Sequence, residues 1–314
     1  MKPLRIGTRG SALALWQANH VRDRLAKLHG IESEIVRIRT SGDNFATSSI
    51  SQLNTESGMK GVFIKEIEDA LLAGTVDLAV HSMKDVPTEI PAGLVFAAIT
   101  KREDARDCLI SRNGRLLAHL PPGARVGTSS LRRQAQLRHF RSDLETADLR
   151  GNVDTRLKKL AAGEYDAIVL AMAGVNRLGA ASQVTQVLGP EIMLPAVGQG
   201  ALGIETRADD RETSQFAASL DDAETRPCVT AERALLRELE GGCQIPLGAF
   251  ARPQASEIFL EAAVFSPDGK EFVRGEDRGP AANAEEIGKR LARSLIERGA
   301  DRILRLAGRS VEQS

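Results

Sequence analysis

Apolar positions fall in two alternating patterns, short clustered runs and longer stretches with helical spacing. Leu4-Arg5-Ile6 predicts a strand, followed by the turn Gly7-Thr8-Arg9-Gly10-Ser11. From Ala12 to Leu28 the apolar residues Ala14, Ala18, Val21, Leu25 and Leu28 keep a helical period, with Ser11 placed to cap the helix. Glu34 to Arg39 predicts a second strand, and Val62 to Ala73 a helix. Asp77 to Val80 predicts a buried strand ending at His81-Ser82-Met83-Lys84-Asp85-Val86-Pro87, and Leu94 to Ile99 another strand. Gly42 to Gly61 is polar and aperiodic, which predicts a mobile loop.

The pattern is then written a second time. Arg125-Val126-Gly127-Thr128 repeats Arg5-Ile6-Gly7-Thr8 and again opens a predicted helix, Ser130 to Phe140. A strand over Glu145 to Leu149 and a helix over Val153 to Ala162 follow. The stretch Gly163 to Met172 then matches Gly74 to Met83, with glycine, aspartate, valine and methionine at the same offsets. Two matches in one order predict two lobes of a single α/β design, with mixed, mostly parallel sheets covered by helices. From about Asp221 the pattern changes to a helix, a loop at Cys243, strands Glu257 to Val264 and Glu271 to Arg274 around a Pro267-Asp268-Gly269 turn, and a last helix from Ala284 to Ile296 or beyond. That predicts a small α+β C-terminal domain. The expected division is 1–101 with 201–220 for lobe one, 102–200 for lobe two, and 221–314 for the third domain.

At 314 residues there is length for several cores. Basic and acidic residues balance at 42 each, so no global charge points to nucleic acid or an anionic membrane. Three cysteines, Cys108, Cys228 and Cys243, stand at no metal-like spacing and suit a reducing cytoplasm. No apolar export signal or membrane-spanning run is evident. The expectation is a cytoplasmic protein, monomeric, without metal, nucleic-acid or membrane partners.

Local charge tells more than the net. In open α/β sheets, ligands bind beyond the C-terminal ends of strands, where helix N-termini present amides. These turns carry Thr8, Arg9 and Ser11, then Ser82, Lys84 and Asp85, in lobe one. In lobe two they carry Thr128, Ser129, Ser130, Arg132 and Arg133, then Arg150, Gly151, Asn152 and Arg156, then Arg177. Arg132 and Arg133 taken alone could be a solvated helix face. Recurrence at several turns points instead to a polyanionic ligand with several carboxylates or phosphates. Asp85 is a lone acid among these bases, suited to a cationic or N–H-bearing centre; its bland role is a salt bridge with Lys84 or a cap. His81 reads as a packed structural histidine. Gly198-Gln199-Gly200 reads as a flexible crossing back to lobe one.

Glu240-Gly241-Gly242-Cys243-Gln244-Ile245-Pro246 puts a thiol on a glycine-rich loop just past a helix end. The helix dipole there does not favour a thiolate, so the sulfur is an attachment point, or is activated by bases from elsewhere, or is simply packed as a small hydrophobe. No dinucleotide or P-loop glycine motif is present.

Taken together, Thr8-Arg9-Gly10-Ser11, His81 to Pro87, Gly127 to Arg133, Leu149-Arg150-Gly151-Asn152, Leu194 to Gly200 and Glu240-Gly241-Gly242-Cys243 resemble the porphobilinogen deaminase (hydroxymethylbilane synthase) family over essentially the whole chain. The resemblance implies three domains, the first two similar to periplasmic-type binding lobes with a cleft between them. It implies a dipyrromethane cofactor held covalently by Cys243, and a transferase that adds four porphobilinogen units head to tail with loss of ammonia. Water then releases hydroxymethylbilane, a precursor in haem and other tetrapyrrole synthesis. By the same implication Asp85 is catalytic, holding pyrrole N–H groups and stabilising the cation formed as ammonia leaves. Lys84, Ser130, Arg132, Arg133, Asn152 and Arg156 would bind the cofactor. Arg9, Ser11, Thr128, Ser129, Arg150, Arg156, Arg177 and Gln199 would hold substrate and growing chain, flanked by Phe63 and Lys60. The chain departs from the family in carrying Glu56 where a second loop lysine is common, which puts that lysine's contact in question.

Two other readings compete. A non-catalytic, two-lobed polyanion-binding protein would explain the repeat and the arginines but not the Gly-Gly-Cys loop. A thiol hydrolase or acyltransferase would need a base beside Cys243, and no histidine sits in a supporting turn.

Overall fold

The structure is a computed structural model that describes residues 2–40, 64–239 and 245–312. The expected mobile loop, Gly42 to Gly61, lies outside the described residues.

The chain divides into two compact units, residues 1–103 with 201–226, and residues 104–200 with 227–314. In the first, β1 (Leu4–Thr8), β2 (Ser33–Arg37), β3 (Leu78–Ser82), β4 (Leu94–Ile99) and β10 (Leu202–Arg207) form one sheet in the order β2-β1-β3-β10-β4. β1 runs parallel to β2 and β3, while β10 is antiparallel to both its neighbours. Helix α1 (Ala12–His29) begins where Ser11 Oγ accepts from Ala14 N, and ends at Gly30 in the left-handed conformation. Its buried face, Ala18, Val21 and Leu25, packs on Ile6, Leu78 and Ile204, together with Ala217 of α6 (Arg211–Ala218). Each such large apolar side chain contributes about 1.5–3 kcal/mol on full burial. Helix α2 (Lys65–Leu72) is part of the second apolar cluster, with Ile67 and Leu71 against Val76, Ala79 and Leu94.

In the second unit, β5 (Asp107–Ser111), β6 (Arg125–Gly127), β7 (Glu145–Ala147), β8 (Ala167–Ala171) and β9 (Gln186–Leu188) form a sheet in the order β7-β6-β8-β5-β9. Position by position this is the first sheet again. β6 is parallel to β7 and β8, and the fourth strand, β5, is the reversed one. The reversed strand in each sheet is the one the chain enters on crossing between units, β5 outward and β10 on return. The repeat extends to side chains. Arg5 N donates to Asp77 Oδ2 at 2.8 Å in lobe one, and Arg125 N donates to Asp166 Oδ2 at 2.8 Å in lobe two. The matched aspartates of the sequence therefore perform one task, tying the start of the first strand to the turn before the third.

Helix α3 (Leu131–Phe140) covers one face of the second sheet through Leu137, against Leu109, Val126 and Val169. Helices α4 (Val153–Ala161) and α5 (Met172–Arg177) contribute Leu160 and Val175 to the other cluster, with Ile110, Leu149 and Ile168. The chain ends in a small α+β module within this unit. Strands β11 (Leu247–Gln254), β12 (Glu257–Phe265) and β13 (Phe272–Pro280) make an antiparallel sheet packed by α7 (Thr225–Glu238), α8 (Ala284–Glu297) and α9 (Ala300–Glu312). The fold class is thus α/β with two like lobes and a small α+β C-terminal part.

The pattern reading missed β5, β9, β10 and β11 and stopped β13 short. β13 continues as Gly275-Glu276-Asp277-Arg278-Gly279, too polar to register as a strand, yet paired along its length with β12.

Candidate functional site

In lobe one, β3 ends at Ser82 and a single 3-10 turn, Met83–Asp85, follows, closed by Val86 N donating to Met83 O at 3.3 Å. Lys84 and Asp85 are both half-buried. The Asp85 carboxylate enters no hydrogen bond or ion pair among the described residues, and this sets it apart from the matched aspartates, which are engaged in the fold. Beside it, Ser82 Oγ accepts from Gln17 Nε2 at 2.8 Å. His81 is buried and its Nε2 lies 3.0 Å from Glu205 Oε2, so it is the structural histidine expected from the sequence. At the first turn Thr8 is buried with its hydroxyl donating to Ala14 O, Ser11 caps α1, and Arg9 is half-buried.

Lobe two is organised around a residue the sequence reading passed over. Asp107, the first residue of β5, is fully buried. Its Oδ2 accepts from Arg132 Nη1 at 2.7 Å, and its Oδ1 from Arg133 Nη2 at 2.7 Å and Gln199 Nε2 at 2.9 Å. Burial by itself would raise this carboxyl, but Arg132 and Arg133 outweigh it and hold it well below the ordinary carboxylate range. The two arginines are each 5% exposed and both pair with Asp107, so they are not a solvated helix face. Arg133 is further spent on Val169 O at 3.0 Å. Arg132 differs: Nη1 serves Asp107 and Leu194 O, while Nε and Nη2 meet no acceptor among the described residues. Two guanidiniums against one carboxylate leave the cluster one positive charge in excess.

Gln199, which the sequence places on a flexible crossing and the family resemblance beside substrate, is built into the lobe. It is 1% exposed, and its amide donates to Ala105 O at 2.7 Å as well as to Asp107. Both crossing segments are thereby fastened to the start of β5. Gly198 N is also held, by the buried Glu232 Oε2 at 2.7 Å, whose Oε1 takes Ala251 N of β11. Thr128 is likewise buried, with Oγ1 accepting from Ser130 N, and Ser129 Oγ accepts from Leu149 N at 2.9 Å. Asn152 caps α4 through Thr155 N at 2.9 Å. These side chains serve the turn geometry.

The remaining expected residues of lobe two differ in how they are held. Ser130 stands at the start of α3 without a capping bond from its hydroxyl. Arg150 is exposed, with Asp148 3.8 Å away. Arg156 Nε donates to Gly151 O at 2.8 Å, and Arg177 Nη2 to Gly200 O at 2.7 Å; both side chains are half-buried. Gly151 takes φ 110°, and a Cβ there would sit 2.8 Å from the Thr155 methyl, so this turn requires glycine. Cys243, Lys60, Phe63 and Glu56 lie outside the described residues. Of the other thiols, Cys108 is fully buried and pushed up to about 12 by that burial, and Cys228 is 2% exposed, so neither suits attachment of a bulky group. Among the described residues no cluster of histidine, cysteine and carboxylate could hold a metal ion, and no helix is long and apolar enough to cross a membrane.

Residues 4–215 match the family model described as porphobilinogen deaminase, dipyromethane cofactor binding domain, and residues 227–297 match porphobilinogen deaminase, C-terminal domain. The chain belongs to the porphobilinogen deaminase family. The porphobilinogen deaminase of Syntrophobacter fumaroxidans is 50% identical over 302 residues, covering 96% of each chain. Among solved structures, the methionine-binding protein MetQ aligns at 13% identity and TM-score 0.44, over 69% of this chain and 89% of its own. A periplasmic substrate-binding protein from Coxiella burnetii aligns at 13% and 0.41, over 69% and 91%. Likeness at that level carries no argument about function.

The family's dipyrromethane cofactor fits the residues present. Its acid side chains call for hydrogen-bond donors, and Nε and Nη2 of Arg132 would offer them inside a cluster with positive charge to spare.

Proposed function

We propose that this chain condenses four porphobilinogen molecules head to tail, with loss of ammonia from each, and releases hydroxymethylbilane by hydrolysis. The family match along both parts of the chain carries the reading. The bound dipyrromethane, held through Cys243, supplies the pyrrole carbon onto which the first unit is added. Arg132, Ser130, Lys84 and Arg156 bind its carboxylates. Arg9, Ser11, Arg150 and Arg177 hold the acetate and propionate groups of substrate and growing chain. Asp85 holds pyrrole N–H groups and stabilises the positive charge that develops as ammonia departs. A carboxylate without a protein partner suits that task, since it need not give up an existing bond to take the ligand. Arg133, Asn152, Thr128, Ser129 and Gln199 act one step back, holding the turns from which the others reach. The three-domain division at residues 101, 201 and 221, a cytoplasmic location and a monomeric state complete the proposal.

Intact mass of the purified protein beside a Cys243→Ser variant tests it. The expected result is a covalent excess equal to two linked pyrrole units, absent from the variant. A folded wild-type protein that carries no excess, even after incubation with porphobilinogen, would overturn the assignment in favour of a polyanion-binding protein.

A further inference from the structure

The strand that returns to lobe one, β10, is fitted against the turn carrying Asp85. Met83 N donates to Ala201 O at 3.1 Å, and the register then pairs Leu202 with Ser82 and Gly203 with His81. Met83 is 1% exposed. A Cβ built on Gly203 would overlap Met83 Sδ and lie 2.7 Å from the Phe96 ring. Gly203 is not among the glycines with positive φ, so backbone conformation does not require glycine here; the close approach of Met83 does. Glycine inside a strand weakens it, and at such a position marks a place where something must come near.

The neighbouring residues are held as firmly. His81 is bound by the fully buried Glu205, two residues along β10 from Gly203, and its ring meets Phe96 edge-on at 6.2 Å. Ser82 is bound by Gln17, itself 4% exposed. Each of the three residues 81–83 is thus fixed by a different buried partner, while Asp85, two residues further on, is left without one.

We infer that Gly203 is a positioning residue for Asp85: the space above it sets how deeply Met83 seats, and so where the Met83–Asp85 turn presents the carboxylate. The inference rests on the catalytic role proposed for Asp85. A side chain at 203 meets both Met83 Sδ and the Phe96 ring, so Met83 is pushed from its seat, and the short turn passes the shift to Asp85. Displacement of a reacting group by about 1 Å costs up to about a hundredfold in rate.

The test uses holoenzyme carrying its covalent cofactor, checked by mass. Gly203→Ala is expected to lose about tenfold to a hundredfold in kcat with KM within about twofold, because ligand-binding arginines are untouched. Adding Met83→Ala removes the overlap with Met83 and leaves only the edge of the Phe96 ring to turn aside, so the double variant should recover most of the lost kcat even though its melting temperature falls further. That opposition of rate and stability is not what a merely structural glycine would give. Should Gly203→Ala alone fail to fold, the double variant is compared with Met83→Ala, and the methyl filling the vacated space should leave kcat equal or higher. Wild-type kcat in folded Gly203→Ala, or a double variant slower than its Met83→Ala parent, would overturn the role. An inactive wild type would instead overturn the assigned reaction.

Discussion

Arg132 Nη1 lies 2.7 Å from Asp107 Oδ2, and neither side chain is open to solvent. The pair joins the first turn of α3 to the first residue of β5, and with Arg133 and Gln199 it gathers several segments of lobe two on one carboxylate. Replacing Asp107 with Asn would leave two buried guanidiniums without a counter-charge, so a loss of about 3–5 kcal/mol is expected from denaturant unfolding. The pH dependence has a definite sign. The folded carboxyl titrates below its unfolded value, so its contribution is present above the ordinary carboxylate range, near about pH 4, and is lost only as pH falls through the folded value. The stability gap between wild type and variant should therefore hold steady from neutrality to about pH 4 and close in stronger acid. A gap that closed between about pH 7 and 5 would mean that Asp107 is not the buried anion described.

Glu68 gives the opposite sign. Burial, with the neighbouring carboxylate of Glu205, raises its carboxyl to about 7, against a smaller lowering by His81 and a further rise from Asp69. A carboxyl raised in the folded state binds its proton more tightly there than in the unfolded chain. Its contribution is greatest below about pH 4, the unfolded range, and declines as pH rises to about 7. Glu68→Gln removes this dependence. Melting temperatures at about pH 5 and pH 8 should show the variant gaining on wild type at the higher pH. An unchanged difference between the two would place Glu68 in water.

Much of this was open to reading from residues. The repeat was legible because Asp77 and Asp166 perform the same backbone tie, and a task shared by two lobes leaves the same letters at the same offsets. Ser11 was legible as a cap because its bond to Ala14 N is local. Partners distant in sequence were not. Arg132 and Arg133 carry the same letters whether they meet a ligand or Asp107, and a separation of 25 positions between Asp107 and Arg132 holds no periodic signal linking them. The reversed strands were missed for a related reason: β10 mixes Gly203, Glu205 and Thr206 into a buried strand, and those polar residues make sense only beside His81 and Ser214.

Gly269 offers a test of how the C-terminal module is docked. The tip of the β12–β13 hairpin presses on α3, and a Cβ at Gly269 would come 2.6 Å from Ala135 O and 2.7 Å from His139 N, both backbone atoms that cannot step aside. The position also has φ 73°. Gly269→Ala combines left-handed strain of about 1–2 kcal/mol with overpacking of about 1–3 kcal/mol. A loss of about 2–5 kcal/mol is expected from denaturant midpoints, together with weaker contacts from Arg138 to Pro267 O and from His139 to Gly269 O. Stability within about 0.5 kcal/mol of wild type would show that the hairpin tip yields freely.

Asp85 should behave in the contrary manner to Asp107. It is half-buried, and among the described residues no protein group depends on it, so Asp85→Asn removes charge without leaving a donor stranded. Unfolding free energy is expected within about 0.5 kcal/mol of wild type. The rate of porphobilinogen consumption by cofactor-bearing protein should fall by about a hundredfold to a thousandfold, the usual loss when a group opposing charge developed in a transition state is neutralised. Asn keeps an acceptor oxygen for pyrrole N–H groups, so substrate affinity should change much less than turnover. A variant that turned over at the normal rate would remove Asp85 from the chemistry. One that lost stability in step with activity would make it a structural residue of the turn, and would leave the spare positive charge at Arg132 as the principal electrostatic feature of the site.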